Sequence, residues 1–219
     1  MATEEKFAGL NFGGMQNEIY NAGLSGILPE FPVDFATLEK RAHEALGPML
    51  TNYVAGGCGD EHTQDSNASA FHHWGMIPRM MVDCAERDLS IELFGHRYKT
   101  PLFMAPIGLN GDATQDKDGD MAASRASAET GVPFCASTLA NHPMEEVKEA
   151  CGDTPAFFQL YTPKHKGLAE SLIRRSEEAG YSALVVTLDT WVTGWRPRDL
   201  NASTFPQLRG RELQNYFAD

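Results

Sequence analysis

Polar side chains recur at the ends of apolar runs: Ser137 after VPFCA, Gln159 and Tyr161 in FFQLY, Thr187 and Asp189 in VVTLD. Side chains alternate along a strand, so Phe157, Gln159 and Tyr161 share one face while Phe158 and Leu160 share the other. Val185, Thr187 and Asp189 share a face in the same way. A strand buried on both sides normally reads as an unbroken apolar run, and Gln159 interrupts one. A buried amide without a partner costs roughly 2–7 kcal/mol, so something polar must meet it. Two readings stand for that partner: a neighbouring strand of the protein, or a bound ligand. The matching positions of Ser137, Thr187 and Asp189 at other strand ends favour the ligand.

Further candidates lie in loops. Trp195-Arg196-Pro197-Arg198-Asp199 follows the VVTLD run, and two guanidiniums there suit a carboxylate or phosphate bound bidentately. The alternative is a solvated loop. In Asn52–Glu61 (NYVAGGCGDE) closely spaced glycines invite a near approach of backbone, or form a plain turn with Tyr53 as ordinary core. Gly111–Asp120 (GDATQDKDGD) is a poor calcium loop, because Met121 stands where that loop needs glycine. Acidic residues leading into the following helix explain it better. The seven histidines show no metal-ligand spacing, and neither GxSxG nor a P-loop occurs. The four cysteines form no CxxC pair, which fits free thiols in a reducing cytoplasm.

These residues need a folded scaffold, and 219 residues with 42% hydrophobic and 22% charged side chains can build one. A net charge of −12 argues against a nucleic-acid surface, which needs clustered Lys and Arg. No secretory leader is visible in MATEEKFAGL, and no apolar run is long enough to span a membrane.

Residues 1–33 show no sustained period and read as an N-terminal arm or frayed terminus. A helix capped by Asp34 follows, ended or kinked at Pro48, and a second short one covers 64–71. Ser90–Phe94 and Arg97–Thr100 around Gly95-His96 read as a hairpin. From there apolar runs alternate with helical patterns. The runs are Pro101–Ile107, Val132–Ser137, Ala156–Tyr161 and Ser182–Leu188. The helices are Lys117–Thr130, closed by Gly131, then Pro143–Ala150, then Gly167–Ala179, closed by Gly180. Strand and helix alternating at about 25–30 residues is the signature of a parallel α/β sheet.

A doubly wound sheet would carry a glycine fingerprint in its first turn, but APIGLNG does not match GxGxxG. A (β/α)8 TIM barrel instead spreads polar groups over the C-terminal ends of several strands, as here. Such a barrel needs eight strands and about 250 residues. The expectation is therefore the N-terminal helices, a small hairpin and the first four strands of a barrel over residues 34–219, which is about half of one.

The segments NYVAGGCGDE, PLFMAPIG, FFQLY and TLDTWVTGWRPRD, in that order, resemble the FMN-dependent 2-hydroxy-acid oxidases and dehydrogenases, nearest to the lactate 2-monooxygenases. The resemblance runs from about residue 34 to the end. It implies a (β/α)8 barrel with FMN at its C-terminal mouth. The backbone of Pro106, Ile107 and Gly108 would lie against the flavin, and Ser137, Gln159 and Thr187 would hydrogen-bond its ring. Tyr53 and Tyr161 would contact the substrate, with Arg196 helping to bind its carboxylate. The family commonly has alanine where Gly108 stands, so glycine there would change the space beside the flavin.

The implied reaction oxidises a small L-2-hydroxy acid, most simply lactate, with oxygen as acceptor. A monooxygenase holds product and peroxide together to give acetate, CO2 and water, which requires a closed, water-poor pocket. An oxidase releases the keto acid and H2O2. The resemblance also implies that the family's catalytic histidine, main carboxylate-binding arginine, flavin-facing lysine and phosphate segment belong to the second half of the barrel. No histidine of this chain is assigned as the base, and the chain alone is expected to bind FMN poorly and turn over no lactate. Such a protein is expected to be cytoplasmic and homo-oligomeric at full length. A non-catalytic truncated half-barrel is the competing reading.

Overall fold

The computed structural model describes residues 13–83, 86–114 and 116–219. The chain divides into two units, the first reaching Gly47 and the second running from Pro48 to Asp219. The first holds helix α1 (Gly14–Gly23) and the opening turns of α2 (Phe35–Ala55). The sequence shows no period over α1, and none of its residues is buried. At the start of α2 the Thr37 N–H donates to Asp34 Oδ1 at 2.8 Å, the cap expected there. The helix breaks at Gly47, whose φ of 74° only glycine adopts easily, immediately before Pro48.

The second unit carries the parallel sheet. After the break, residues 48–55 lead to the glycine-rich turn, α3 (His62–Ser69) and a 3-10 turn (Ala70–His73). The hairpin forms as β1 (Ile91–Leu93) and β2 (His96–Tyr98), antiparallel. Then come α4 (Asn110–Ala113), α5 (Gly119–Thr130), β3 (Cys135–Ala136), α6 (Met144–Ala150), β4 (Phe157–Leu160), α7 (Lys166–Glu178) and β5 (Ala183–Val186). The end of the chain forms α8 (Pro197–Ala202), a 3-10 turn (Pro206–Arg209) and α9 (Gln214–Phe217).

β3, β4 and β5 pair in that order, all parallel, with Gln159 opposite Val185. Pro101–Ile107, expected as the first strand, makes only a bridge from Met104 to Phe134. Met104 N–H bonds to the Pro133 carbonyl at 2.8 Å and the Cys135 N–H to the Met104 carbonyl at 3.0 Å. Pro101 and Pro106 have no N–H to give, so only the middle of that run can enter a ladder.

Alternation along β4 divides the core. Phe158 and Leu160 face the helices and pack with Phe134, Met144, Val147, Cys151 and Leu172. Phe157 points the other way and meets Tyr98, Phe94 and Phe103 edge-on, with centroids 6.0–6.3 Å apart. The hairpin thus packs beside the entering end of β4, which leaves polar work to the opposite end. β4 is buried throughout, whereas Leu184, Val185 and Val186 of β5 are 38–45% exposed, so β5 is an edge among the described strands.

Candidate functional site

Parallel strands open their C-terminal ends on one side, and Ser137, Gln159 and Thr187 stand there side by side. Gln159 Oε1 accepts from Ser137 Oγ and from the Thr138 N–H, both at 3.1 Å. Its Nε2 donates to Thr187 Oγ1 at 2.7 Å. The buried amide that interrupts the apolar run therefore has protein partners on both neighbouring strands. The same bonds leave it the second Nε2 hydrogen and leave Thr187 its hydroxyl hydrogen. That pair of donors suits the carbonyl and imine acceptors along an isoalloxazine edge.

Sequence reasoning missed two residues that hold this row. Thr138 Oγ1 donates to the Gln159 carbonyl at 2.5 Å and accepts from the Tyr161 N–H at 2.9 Å, lacing the ends of β3 and β4 together. Asn215, fully buried on α9, donates to the Thr138 carbonyl at 2.9 Å and accepts from the Met144 N–H at 2.7 Å. The polar pair Ser137-Thr138 was a visible signal. Nothing local marks Asn215, whose side-chain partners lie more than seventy residues away.

Gly108 lies beside the same row. A β-carbon there would stand 3.3 Å from Leu139 Cβ and 3.7 Å from Ser137 Oγ, so an alanine would need Leu139 to give way. Pro106 is half-buried and Ile107 is 53% exposed.

A second cluster gathers around Tyr53. The Arg196 guanidinium stacks 4.7 Å above the Tyr53 ring, donates through Nη2 to the Tyr53 carbonyl, and pairs through Nε with Asp199 Oδ2 at 2.7 Å. Asp199 is buried, so this pair is shielded from water. Much of the fork expected to grip a carboxylate is thereby used to fix Arg196 itself, with Nη1 left over. Phe205 meets the Tyr53 ring edge-on at 5.8 Å, and Gln207 Nε2 donates to the Tyr53 hydroxyl. Burial, opposed by Gln207 and Arg196, raises the Tyr53 phenol above its ordinary pKa.

The glycine-rich turn proves to be more than a connection. The Gly59 N–H donates to the Trp195 carbonyl at 2.9 Å. Glu61 takes the Gly57 N–H at 3.0 Å and Arg198 Nη2 at 2.6 Å. A side chain at Gly56 would run into the Asn52 carbonyl and stand 3.1 Å from Arg198 Cδ. The turn clasps the loop that carries Arg196.

Tyr161 joins the two clusters. It is half-buried, and its phenol is raised first by burial and then by the nearby Tyr53 and Asp189. Among the described residues no group of His, Cys, Asp and Glu could hold a metal, and Cys58, Cys135 and Cys151 are free thiols. No helix of the described residues is long and apolar enough to cross a membrane.

Parallel strands whose polar ends meet in one mouth, with an arginine-stacked tyrosine beside them, define an α/β protein with a polar cluster at the C-terminal ends of its sheet. Residues 42–218 match the family model of the FMN-dependent dehydrogenases, and the chain belongs to that family. Members of this family are oxidoreductases with FMN as cofactor. An FMN-dependent alpha-hydroxy acid dehydrogenase of Penicillium citrinum is 37% identical over 92% of this chain and 50% of its own length. An L-lactate oxidase of Lysinibacillus sphaericus is 37% identical over 86% of this chain and 48% of its own. The soluble mutant of the membrane-associated (S)-mandelate dehydrogenase of Pseudomonas putida superposes with a TM-score of 0.70 at 36% identity, covering 76% of this chain and 47% of that one. The chain spans about half the length of the curated relatives it matches.

Proposed function

We propose that this chain supplies the N-terminal half of a (β/α)8 barrel that oxidises a small L-2-hydroxy acid, most simply lactate, with bound FMN. The observation that carries the reading is the hydrogen-bonded row Ser137–Gln159–Thr187 across three parallel strand ends, with donors to spare on Gln159 and Thr187. Those residues would hold the flavin ring, with the backbone of Pro106, Ile107 and Gly108 lying against it. When bound, FMN takes two electrons from the substrate carbon and passes them to oxygen. Tyr53, Tyr161 and Arg196 bind the substrate: the phenols supply hydroxyl hydrogens, and the guanidinium supplies positive charge at a fixed orientation.

No described histidine is assigned as the proton acceptor. His165 Nδ1 takes the Leu168 N–H at the start of α7, and His142 lies between Asp118 and Glu146 at 3.6 and 3.5 Å. The proposal places it in a segment corresponding to the half of the relatives that this chain does not cover. Within this reading the products are those of a lactate 2-monooxygenase, namely acetate, CO2 and water. The oxidase alternative releases pyruvate and H2O2. The protein works in the cytoplasm as a homo-oligomer.

Joining this chain to the complementary half-barrel of a relative tests the proposal. Anaerobic L-lactate is expected to bleach the flavin absorbance of the joined, FMN-loaded protein. Acetate rather than pyruvate should accumulate in air. Flavin that stays oxidised under anaerobic L-lactate contradicts the proposed function, and pyruvate with stoichiometric H2O2 assigns the oxidase.

A further inference from the structure

We propose that Gln207 is a positioning residue that makes the Tyr53 hydroxyl a hydrogen-bond donor directed at the substrate carboxylate; this rests on the proposed 2-hydroxy-acid reading of the same site. Tyr53 is constrained on three sides. Arg196 covers its face, Phe205 meets its edge, and Gln207, on the 3-10 turn Pro206–Arg209, reaches its oxygen. The bond runs from Gln207 Nε2 to the Tyr53 oxygen.

The direction of that bond decides the chemistry. A phenol has one hydrogen to give and lone pairs to receive. With an amide N–H on a lone pair, the Tyr53 hydrogen must be placed elsewhere, and none of the hydrogen bonds among the described residues takes it. An anionic oxygen is the partner such a hydrogen favours, because bonds to charged acceptors are about twice as strong as neutral ones. The reverse orientation, with Tyr53 donating to Gln207 Oε1, would spend the hydrogen on the protein and leave only acceptors toward a carboxylate, which repel it. Gln207 Oε1 itself is buried without a donor. Pro206, buried at the first position of the turn, fixes φ there and holds Gln207 in place. Gln207 touches neither cofactor nor substrate in this account and acts through Tyr53 alone.

Isotope-edited infrared spectroscopy of the chain carrying labelled tyrosine tests this without turnover, with Tyr53→Phe assigning the band. Accepting a hydrogen bond lowers the tyrosine C–O stretching frequency, and donating one raises it. The wild-type Tyr53 band should be low and should rise when oxalate, a dicarboxylate probe, is added. Gln207→Leu should raise the band without oxalate and demand several-fold more oxalate for the half-maximal change. Gln207→Lys, which keeps a donor, should retain the low band and also guards against a leucine variant that fails to fold. A high wild-type band, or one indifferent to Gln207→Leu, overturns the proposal. So does an oxalate response identical in wild type and Gln207→Leu. A low, Gln207-dependent band that oxalate never moves removes the carboxylate reading beneath the proposal, and the proposal with it, while leaving the bond direction established.

Discussion

Arg196 and Asp199, three residues apart where α8 begins, show how firmly the fold holds a side chain proposed to bind an anion. The pair is 2.7 Å long, with the aspartate side chain 5% exposed, so the charges see little water. Breaking such a pair from one side leaves a buried charge alone, which costs roughly 3–5 kcal/mol, while removing both partners costs much less. Arg196→Leu should therefore lower the unfolding free energy by about 3 kcal/mol or more in urea. The double variant Arg196→Leu/Asp199→Leu should recover a good part of that loss, and additive losses would show the pair to be uncoupled. At this scale the sequence was informative where alternation applies. Ser137, Gln159 and Thr187 stood out as polar residues at strand ends, and they meet. Gln207 and Asn215 did not stand out, because short helical turns have no period and the partners of these side chains come from distant segments.

Strands β3 and β5 were legible because each is a short apolar run that follows a helical pattern, and Gly131 and Gly180 close their preceding helices with φ of 72° and 86°. Along Pro101–Ile107 hydrophobicity alone does not make a ladder, because two prolines remove donors and only the Met104–Phe134 bridge forms. The segment joining Arg209 to α9 was underread, although it carries the most perturbed carboxyl described. Glu212, 1% exposed, meets no donor on either oxygen among the described residues, and its carboxyl lies against that of Asp112. Burial first, then Asp112 and Asp120, push it up to about 8, with Lys117 opposing. The native state thus keeps a proton that the unfolded chain gives up near 4.5. Its stabilising contribution is complete below the unfolded value and is lost as pH rises through the folded one. Stability should fall between those limits by at most about 1.4 kcal/mol per pH unit from this group. Thermal unfolding of Glu212→Gln should lack that component and match or exceed wild type at pH 8. A wild-type slope retained in the variant would assign it to other groups.

For the whole molecule the proposed function requires that one end of this parallel sheet hold a flavin, with the chain contributing part of that site. The α/β class and strand direction followed from the alternating pattern, while the hairpin's packing against Phe157 needed three-dimensional contacts to be seen. The two donors left on Gln159 and Thr187 are the groups the claim depends on. FMN titrated into the purified chain and into Gln159→Leu, followed by flavin fluorescence and absorbance, tests it most directly. The account predicts weak binding by the chain, lost on dialysis, and binding at least tenfold weaker in the variant, the equivalent of about 1.4 kcal/mol for one hydrogen bond to the ring. Far-ultraviolet circular dichroism would verify that the variant remains folded. Equal FMN affinity in the two folded proteins would contradict the site, and stoichiometric flavin retained through purification would contradict the claim that this chain holds only part of it.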